Sequence, residues 1–131
     1  MRIAIFISLL IALLANSLAA GTIDIVRLKY GGGGDWYNDP EEETNLLKEF
    51  SARTGVSVKA EKVLLSAADD DLFLHPFLFI TGHGEIKFTA REVERLRLFL
   101  VSGGFLYADD DYGMDVSFRR EMKRVFPETE L

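Results

Sequence analysis

The sequence predicts an α/β domain built on an open, mostly parallel β-sheet with helices on both faces. Short apolar runs typical of buried parallel strands occur at residues 23–28, 77–80 and 105–108. Stretches with helical spacing of apolar residues follow each of these runs. Strands and helices that alternate at these lengths form right-handed βαβ units, which place the strands side by side in parallel.

The first half of the domain contains two predicted strands and one helix. Residues 23–28 are rich in β-branched side chains, as expected of a strand. The next helix is predicted to begin with Asp39 as its N-cap, Pro40 at the first helical position and Glu42 at the capping-box spacing. Gly55 is expected to end this helix. A second strand is predicted within residues 56–65.

The second half repeats the alternation. The apolar run at 77–80 predicts a buried strand, and Thr89 with Glu92 forms a capping box for the helix that follows. That helix is expected to end near residues 102–103, before the strand at 105–108. A last helix is predicted over residues 117–126, where Pro127 stops it.

Residues 1–20 have the pattern of a secretory signal peptide. Arg2 supplies a positive charge, residues 3–14 are apolar apart from one serine, and small side chains precede Ala20. Cleavage after Ala19 or Ala20 would leave residues 21–131 as one domain in the periplasm or the extracellular medium, with no membrane segment. An uncleaved anchor helix is the alternative, although the run is short for a membrane span.

Composition excludes several classes of function. The formal net charge of −6 argues against a nucleic-acid partner, because phosphate binding needs a basic surface. The chain has no Cys, so an exported form has neither disulfides nor a thiol nucleophile. The acidic clusters at 41–43, 69–71 and 109–111 flank apolar runs and are typical of solvated ends of helices and strands.

Three polar loops are predicted to meet at the carboxyl edge of the sheet, where open α/β sheets form their ligand crevices. They cover residues 31–38, 82–87 and 109–114, and the first contains four consecutive glycines. These loops contain the candidate ligand-binding residues, which are Gly33, Gly34, Asp35, Trp36, Tyr37, Gly82, His83, Gly84, Asp109 and Asp110.

Each group of candidates has two interpretations. The glycines either bind an anion through their N–H groups or provide positive φ and close packing, and the acidic residues 41–43 at the next helix disfavour a phosphate. Trp36 and Tyr37 either pack across the sheet edge or stack on a carbohydrate or peptide. His83 either binds a divalent metal with Asp35, Asp109 and Asp110, or fixes its own turn through backbone hydrogen bonds.

The chain resembles the bacterial domain family of unknown function called DUF4159. The resemblance rests on residues 30–37 (Tyr-Gly-Gly-Gly-Gly-Asp-Trp-Tyr), 75–77 (His-Pro-Phe), 81–84 (Thr-Gly-His-Gly) and 103–106 (Gly-Gly-Phe-Leu), followed by the aspartates from Asp109. It implies a flavodoxin-like arrangement of the class I glutamine amidotransferase type. Family domains continue further, so the resemblance implies that residues 21–131 lack the C-terminal part of the domain.

The turn that carries the nucleophile in amidotransferases of that fold reads Thr81-Gly82-His83-Gly84 here. It contains no Cys, and the chain has no G-x-S-x-G elbow. We therefore expect a non-catalytic binding or assembly module of the cell envelope, without a cofactor, whose partner is an envelope protein or a small ligand. The alternative is a metal-assisted hydrolase that uses His83 with Asp35 and Asp109 or Asp110.

Overall fold

The computed structural model describes residues 22–130 and confirms the predicted α/β class. The predicted signal peptide lies outside the described residues. Four strands form one parallel sheet in the order β2-β1-β3-β4, which matches the first four strands of the flavodoxin-like order. The elements are β1 (Val26–Lys29), α1 (Glu42–Thr54), β2 (Val63–Ser66), a 3-10 helix (Asp70–Leu74), β3 (Phe77–His83), α2 (Ala90–Val101), β4 (Phe105–Tyr112) and α3 (Asp115–Val125).

One face of the sheet packs against α2 and α3. Alternate strand residues point to this face because successive side chains of a strand alternate between the two sides. They meet apolar side chains of both helices in the main core, and none of the residues that form it is more than 6% exposed. Its members include Val26, Leu28, Leu78 and Ile80 from the strands and Leu96, Phe99, Met122 and Val125 from the helices.

The opposite face packs against α1 and has a smaller core of Ile25, Leu47 and Phe79. Among the described residues, α1 is the one helix on this face, and it lies over β1. Two large side chains of β4 stay open there, since Phe105 is 54% exposed and Tyr107 is 47% exposed. Helices therefore cover both faces of the sheet, as predicted, but unequally.

The predicted start of α2 is confirmed, and that of α1 is wrong. Thr89 Oγ1 accepts a hydrogen bond from the Glu92 N–H, and the Glu92 carboxylate accepts one from the Thr89 N–H. Asp39 has a positive φ of 44° and lies outside α1, and Glu41 takes the N-cap position without a side-chain hydrogen bond.

The remaining boundaries differ by a few residues. The prediction of loops at 82–87 and 109–114 is partly wrong, because β3 continues through His83 and β4 through Tyr112. Residues 56–58 contribute a single bridge between Ile23 and Val58, and β2 forms later in the predicted range. The last helix begins two residues before its predicted start. No helix within residues 22–130 combines the length and apolar character that crossing a bilayer requires.

Candidate functional site

The glycine run packs directly against residues 83–87. The N–H groups of Gly34 and Asp35 donate to the carbonyls of Glu85 (3.0 Å) and His83 (3.3 Å). A Cβ atom at Gly34 would lie 2.7 Å from the His83 carbonyl oxygen, so this contact requires glycine. These two N–H groups are used within the protein, which supports the packing interpretation and leaves the anion-binding one without support.

The Tyr30 side chain packs against the backbone of Thr81 and Gly82. Its hydroxyl donates to the Thr81 carbonyl at 3.0 Å, and a Cβ atom at Gly82 would lie 2.5 Å from that hydroxyl. Burial, followed by the nearby Asp35 carboxylate, raises the pKa of Tyr30 to about 12, so the phenol stays protonated and keeps donating. Gly33 and Gly84 have positive φ and no atoms near the added Cβ, so they serve backbone conformation alone.

His83 lies between two carboxylates at the carboxyl edge. Its Nδ1 is 3.0 Å from Asp35 Oδ2, and its Nε2 is 3.4 Å from Asp111 Oδ2. Asn38 Nδ2 donates to the Asp111 carboxylate as well. The His83 backbone N–H donates to Asp35 and, together with the imidazole contact, lowers the pKa of that carboxyl group. The four side chains form a hydrogen-bonded cluster that ties the first loop to the end of β4.

The three consecutive aspartates of β4 have different environments. Asp110 accepts hydrogen bonds from the N–H groups of Met114 (2.8 Å) and Asp115 (3.0 Å), at the start of α3. Asp109 lies on the α1 face of the sheet. The structure thus brings Asp35 and Asp111 to His83, and it places Asp109 and Asp110 elsewhere. Among residues 22–130, no three His, Asp or Glu side chains are arranged to hold one metal ion.

The two aromatic residues of the first loop differ in exposure. Trp36 packs against the main core and meets Tyr37 edge-on, with ring centroids 5.5 Å apart. Tyr37 is 63% exposed. Trp36 therefore anchors the loop, while Tyr37 remains free to contact another molecule.

Arg27 shapes this region, and sequence reasoning missed it. The side chain is fully buried, and its guanidinium bonds the Glu43 carboxylate and the carbonyls of Trp36 (3.1 Å), Asn38 and Asp39 (3.0 Å). The three carbonyls that converge on this guanidinium fix the backbone of residues 36–39 against β1. The sequence did contain a signal for this role, which is a single Arg within an apolar strand. A buried charge requires partners, so such an Arg indicates that polar groups surround it.

An apolar groove of about 600 Å³ lies between α1 and the open part of the sheet. Its floor holds two aromatic pairs, with Phe77 and Phe105 at 5.1 Å between ring centroids and Phe79 stacked on Tyr107 at 5.7 Å. The Arg27 guanidinium lies over the Phe79 ring at 5.5 Å. The walls and ends of the groove are formed by Ile23, Ile25, Glu42, Leu46, Leu47, Phe50 and Asp109.

A pair of carboxyl groups closes one end of the groove. Glu42 from α1 and Asp109 from β4 both line this end of the groove. Burial is the main cause that raises the pKa of Glu42 to about 7, Asp109 adds to the effect, and Arg27 opposes it. The groove is therefore apolar along its length and acidic at the carboxyl edge of the sheet.

Comparison with protein-family models matches residues 24–131 to DUF4159, described as a domain of unknown function. The chain belongs to this family. A comparison with proteins of curated function finds no match. The family description gives no activity, so a function for this DUF4159 domain has to be argued from the geometry above.

Proposed function

We propose that this DUF4159 domain is a non-catalytic binding or assembly domain of the cell envelope, and that its ligand occupies the apolar groove. The observation that carries the proposal is the groove itself. A cleft of about 600 Å³ with aromatic walls and few polar groups has the size and lining of a ligand site.

The carboxyl end of β3 supports a non-catalytic role. Thr81 is the hydroxyl residue at the position where a nucleophile would be expected, but it lies within β3 and is 3% exposed. Its carbonyl accepts a hydrogen bond from the Tyr30 hydroxyl. A nucleophile has to reach the substrate, and a buried hydroxyl does not.

Location in the envelope follows from the signal peptide proposed for residues 1–20. Export would place the domain in the periplasm or outside the cell, where its ligand would be an envelope protein or a small molecule.

Photo-crosslinking in the cells that produce the protein tests groove occupancy. A photoreactive phenylalanine analogue would replace Phe105 in the groove, and the same analogue would replace Leu98 on α2 as the control. Both positions are 54% exposed, so they differ in location and not in accessibility. We expect a discrete adduct from position 105 and none from position 98. Equal labelling at the two positions would refute the proposal.

The second candidate is a metal-assisted hydrolase, originally expected to use His83 with Asp35 and Asp109 or Asp110. Its support is the proximity of Asp35 and Asp111 to His83, although the three side chains are not arranged around a common metal position. A metal would have to replace one of these contacts, because each carboxylate meets a different ring nitrogen. Metal content of the purified protein, with His83→Ala and the control His75→Ala, tests it. Stoichiometric metal lost in His83→Ala alone would support this candidate, and equal content in all three proteins would reject it.

A further inference from the structure

We propose that His83 acts as a pH-dependent clamp at the carboxyl edge of the sheet, and that loss of its proton releases the end of β4 from the loop at residues 31–38. The clamp consists of the His83 imidazole and the carboxylates of Asp35 and Asp111. The inference concerns regulation of this edge and does not depend on what occupies the groove.

The clamp joins two segments that are far apart in the chain. Asp35 belongs to the loop after β1, and Asp111 lies near the end of β4. His83 ends β3 between them, with Nδ1 3.0 Å from Asp35 Oδ2 and Nε2 3.4 Å from Asp111 Oδ2. Both ring nitrogens of one imidazole therefore face a hydrogen-bond acceptor.

The protonation state of the imidazole decides how many of these contacts it can make. An ionised carboxylate only accepts hydrogen bonds, so each ring nitrogen needs a proton to bond the oxygen that it faces. The imidazolium ion has two N–H groups and satisfies both carboxylates. A neutral imidazole has one N–H, and in either tautomer the other nitrogen turns a lone pair toward a carboxylate oxygen. Because imidazole loses its proton near neutral pH, the clamp is complete in mild acid and loses one contact in mild base.

The contact with Asp111 is the one expected to be lost. It is the longer of the two, and Asp35 accepts a second hydrogen bond from the His83 backbone N–H. That bond lowers the pKa of Asp35, so its carboxylate remains an acceptor throughout. Loss of the proton from Nε2 leaves Asn38 as the partner of Asp111.

The other charged groups near His83 are bound elsewhere. Asp110 accepts hydrogen bonds from the N–H groups at the start of α3. Glu85 pairs with Arg120 at 2.9 Å. The Tyr30 phenol stays protonated, because burial raises its pKa to about 12. The two carboxylates of the clamp are therefore the charged groups that contact its ring.

His75 provides a matched comparison within the same chain. Its Nδ1 is 2.8 Å from Asp24 Oδ2, and this pair joins the segment before β1 to the start of β3. Within the described part of the chain, one carboxylate contacts this ring. One carboxylate requires one N–H, which a neutral imidazole supplies. The pair of His75 and Asp24 is therefore expected to persist when both histidines lose their protons.

Hydrogen exchange measured by NMR on the purified protein between about pH 5.5 and pH 8.5 tests the inference, with EDTA present to remove metal ions. The reporter is the amide of Gly84, which donates to the Tyr112 carbonyl at 3.2 Å and joins the ends of β3 and β4. The reference is the amide of Ile23, the neighbour of Asp24, which donates to the Ser57 carbonyl. Protection factors correct for the intrinsic pH dependence of exchange, and the ring signals of the two histidines report their protonation.

We expect the protection of Gly84 to fall by about fivefold or more as His83 loses its proton, which corresponds to one lost hydrogen bond. The protection of Ile23 should stay constant. Asp111→Asn should remove the change at Gly84, because its amide donates to the neutral Nε2 and keeps the contact. The matched substitution at the other histidine, Asp24→Asn, should leave the change at Gly84 as it is in the wild type.

Three results would overturn the inference: constant protection of Gly84 while the ring signals of His83 titrate, a fall that persists in Asp111→Asn, or an equal fall at Ile23 in the wild type. None of them affects the crosslinking from position 105 that tests the proposed function. The two proposals therefore fail independently.

Discussion

The two faces of the sheet are built from the same strands but are covered by helices to different extents. The face under α2 and α3 is a dry core in which Leu78, Ile80 and Phe88 are at most 2% exposed. The face under α1 has a smaller buried cluster and then opens into the groove, where Phe105 and Tyr107 are about half exposed. Apolar strand residues thus face both sides, but described helices fill one side only.

Because of this difference, the side chains on one face mainly stabilise the fold, and those on the open part of the other face are available for binding. Side chains packed on all sides contribute free energy to folding, because each removes apolar area from water. Those that line an open groove contribute less to folding and remain available to a ligand. Substitutions on the two faces should therefore differ in their effect on unfolding.

The largest effect is expected at Arg27, which lies on the α1 face yet is fully buried. Arg27→Met should lower the free energy of unfolding by about 3–5 kcal/mol, because the Glu43 carboxylate and three carbonyls lose their donor inside the protein. Glu43 is 3% exposed, and its Oε2 already lacks a hydrogen-bond partner. Urea denaturation followed by circular dichroism measures the change.

Arg53→Met on the solvent-exposed side of α1 provides the control. Arg53 pairs with Glu49 at the surface, where the two side chains are 77% and 60% exposed, so this substitution should cost less than about 1 kcal/mol. Similar losses in the two variants would mean that the buried pair does not hold the loop and α1 together.

The second prediction compares the two faces directly. Leu78→Ala on the covered face should cost about 2–5 kcal/mol, because Leu78 is fully buried and its removal leaves a cavity. Phe105→Ala on the open face should cost less than about 1 kcal/mol, although it removes a larger side chain. Urea denaturation of both variants measures the difference. A loss at Phe105 as large as that at Leu78 would show that the groove belongs to the folding core.

The fold was predictable because its signals are local. The apolar runs of β3 and β4 and the Thr89–Glu92 capping box appear in the sequence as contiguous patterns, and the structure confirms them. The start of α1 was not predictable from the same rules. Asp39 and Pro40 have the sequence pattern of a helix start, but Arg27 binds the backbone of this loop, Asp39 has a φ of 44°, and the helix begins at Glu42.

The candidate site was predictable in part. The first loop and the ends of β3 and β4 meet at the carboxyl edge as the parallel topology requires, and His83 does contact Asp35. The pattern could not reveal which aspartate faces His83. A bulge at Gly82 and His83 shifts the register of β4, and Asp111 takes the position beside the imidazole. The groove was missed because Phe105 and Tyr107 resemble core residues until the helices are placed.

The third prediction concerns Glu42, which is faced by Arg27 from β1, Asp109 from β4 and its neighbour Glu43 on α1. Its pKa rises from 4.5 to about 7 on folding, so the folded state favours the protonated carboxyl group. The resulting stabilisation is complete below about pH 4.5 and is lost as the pH rises through about 7. Glu42→Gln keeps a neutral, hydrogen-bonding side chain at every pH.

Glu42→Gln should therefore be more stable than the wild type at pH 8, by about 1 kcal/mol once solvent screening is allowed for, and nearly equal to it at pH 4. Thermal unfolding between pH 4 and pH 8 measures the change, with the exposed Glu49→Gln on the same helix as control. Parallel pH profiles of Glu42→Gln and the wild type would contradict the raised pKa of Glu42. A raised stability at pH 8 would mean that the ionised Glu42 side chain on the α1 face costs the protein folding free energy.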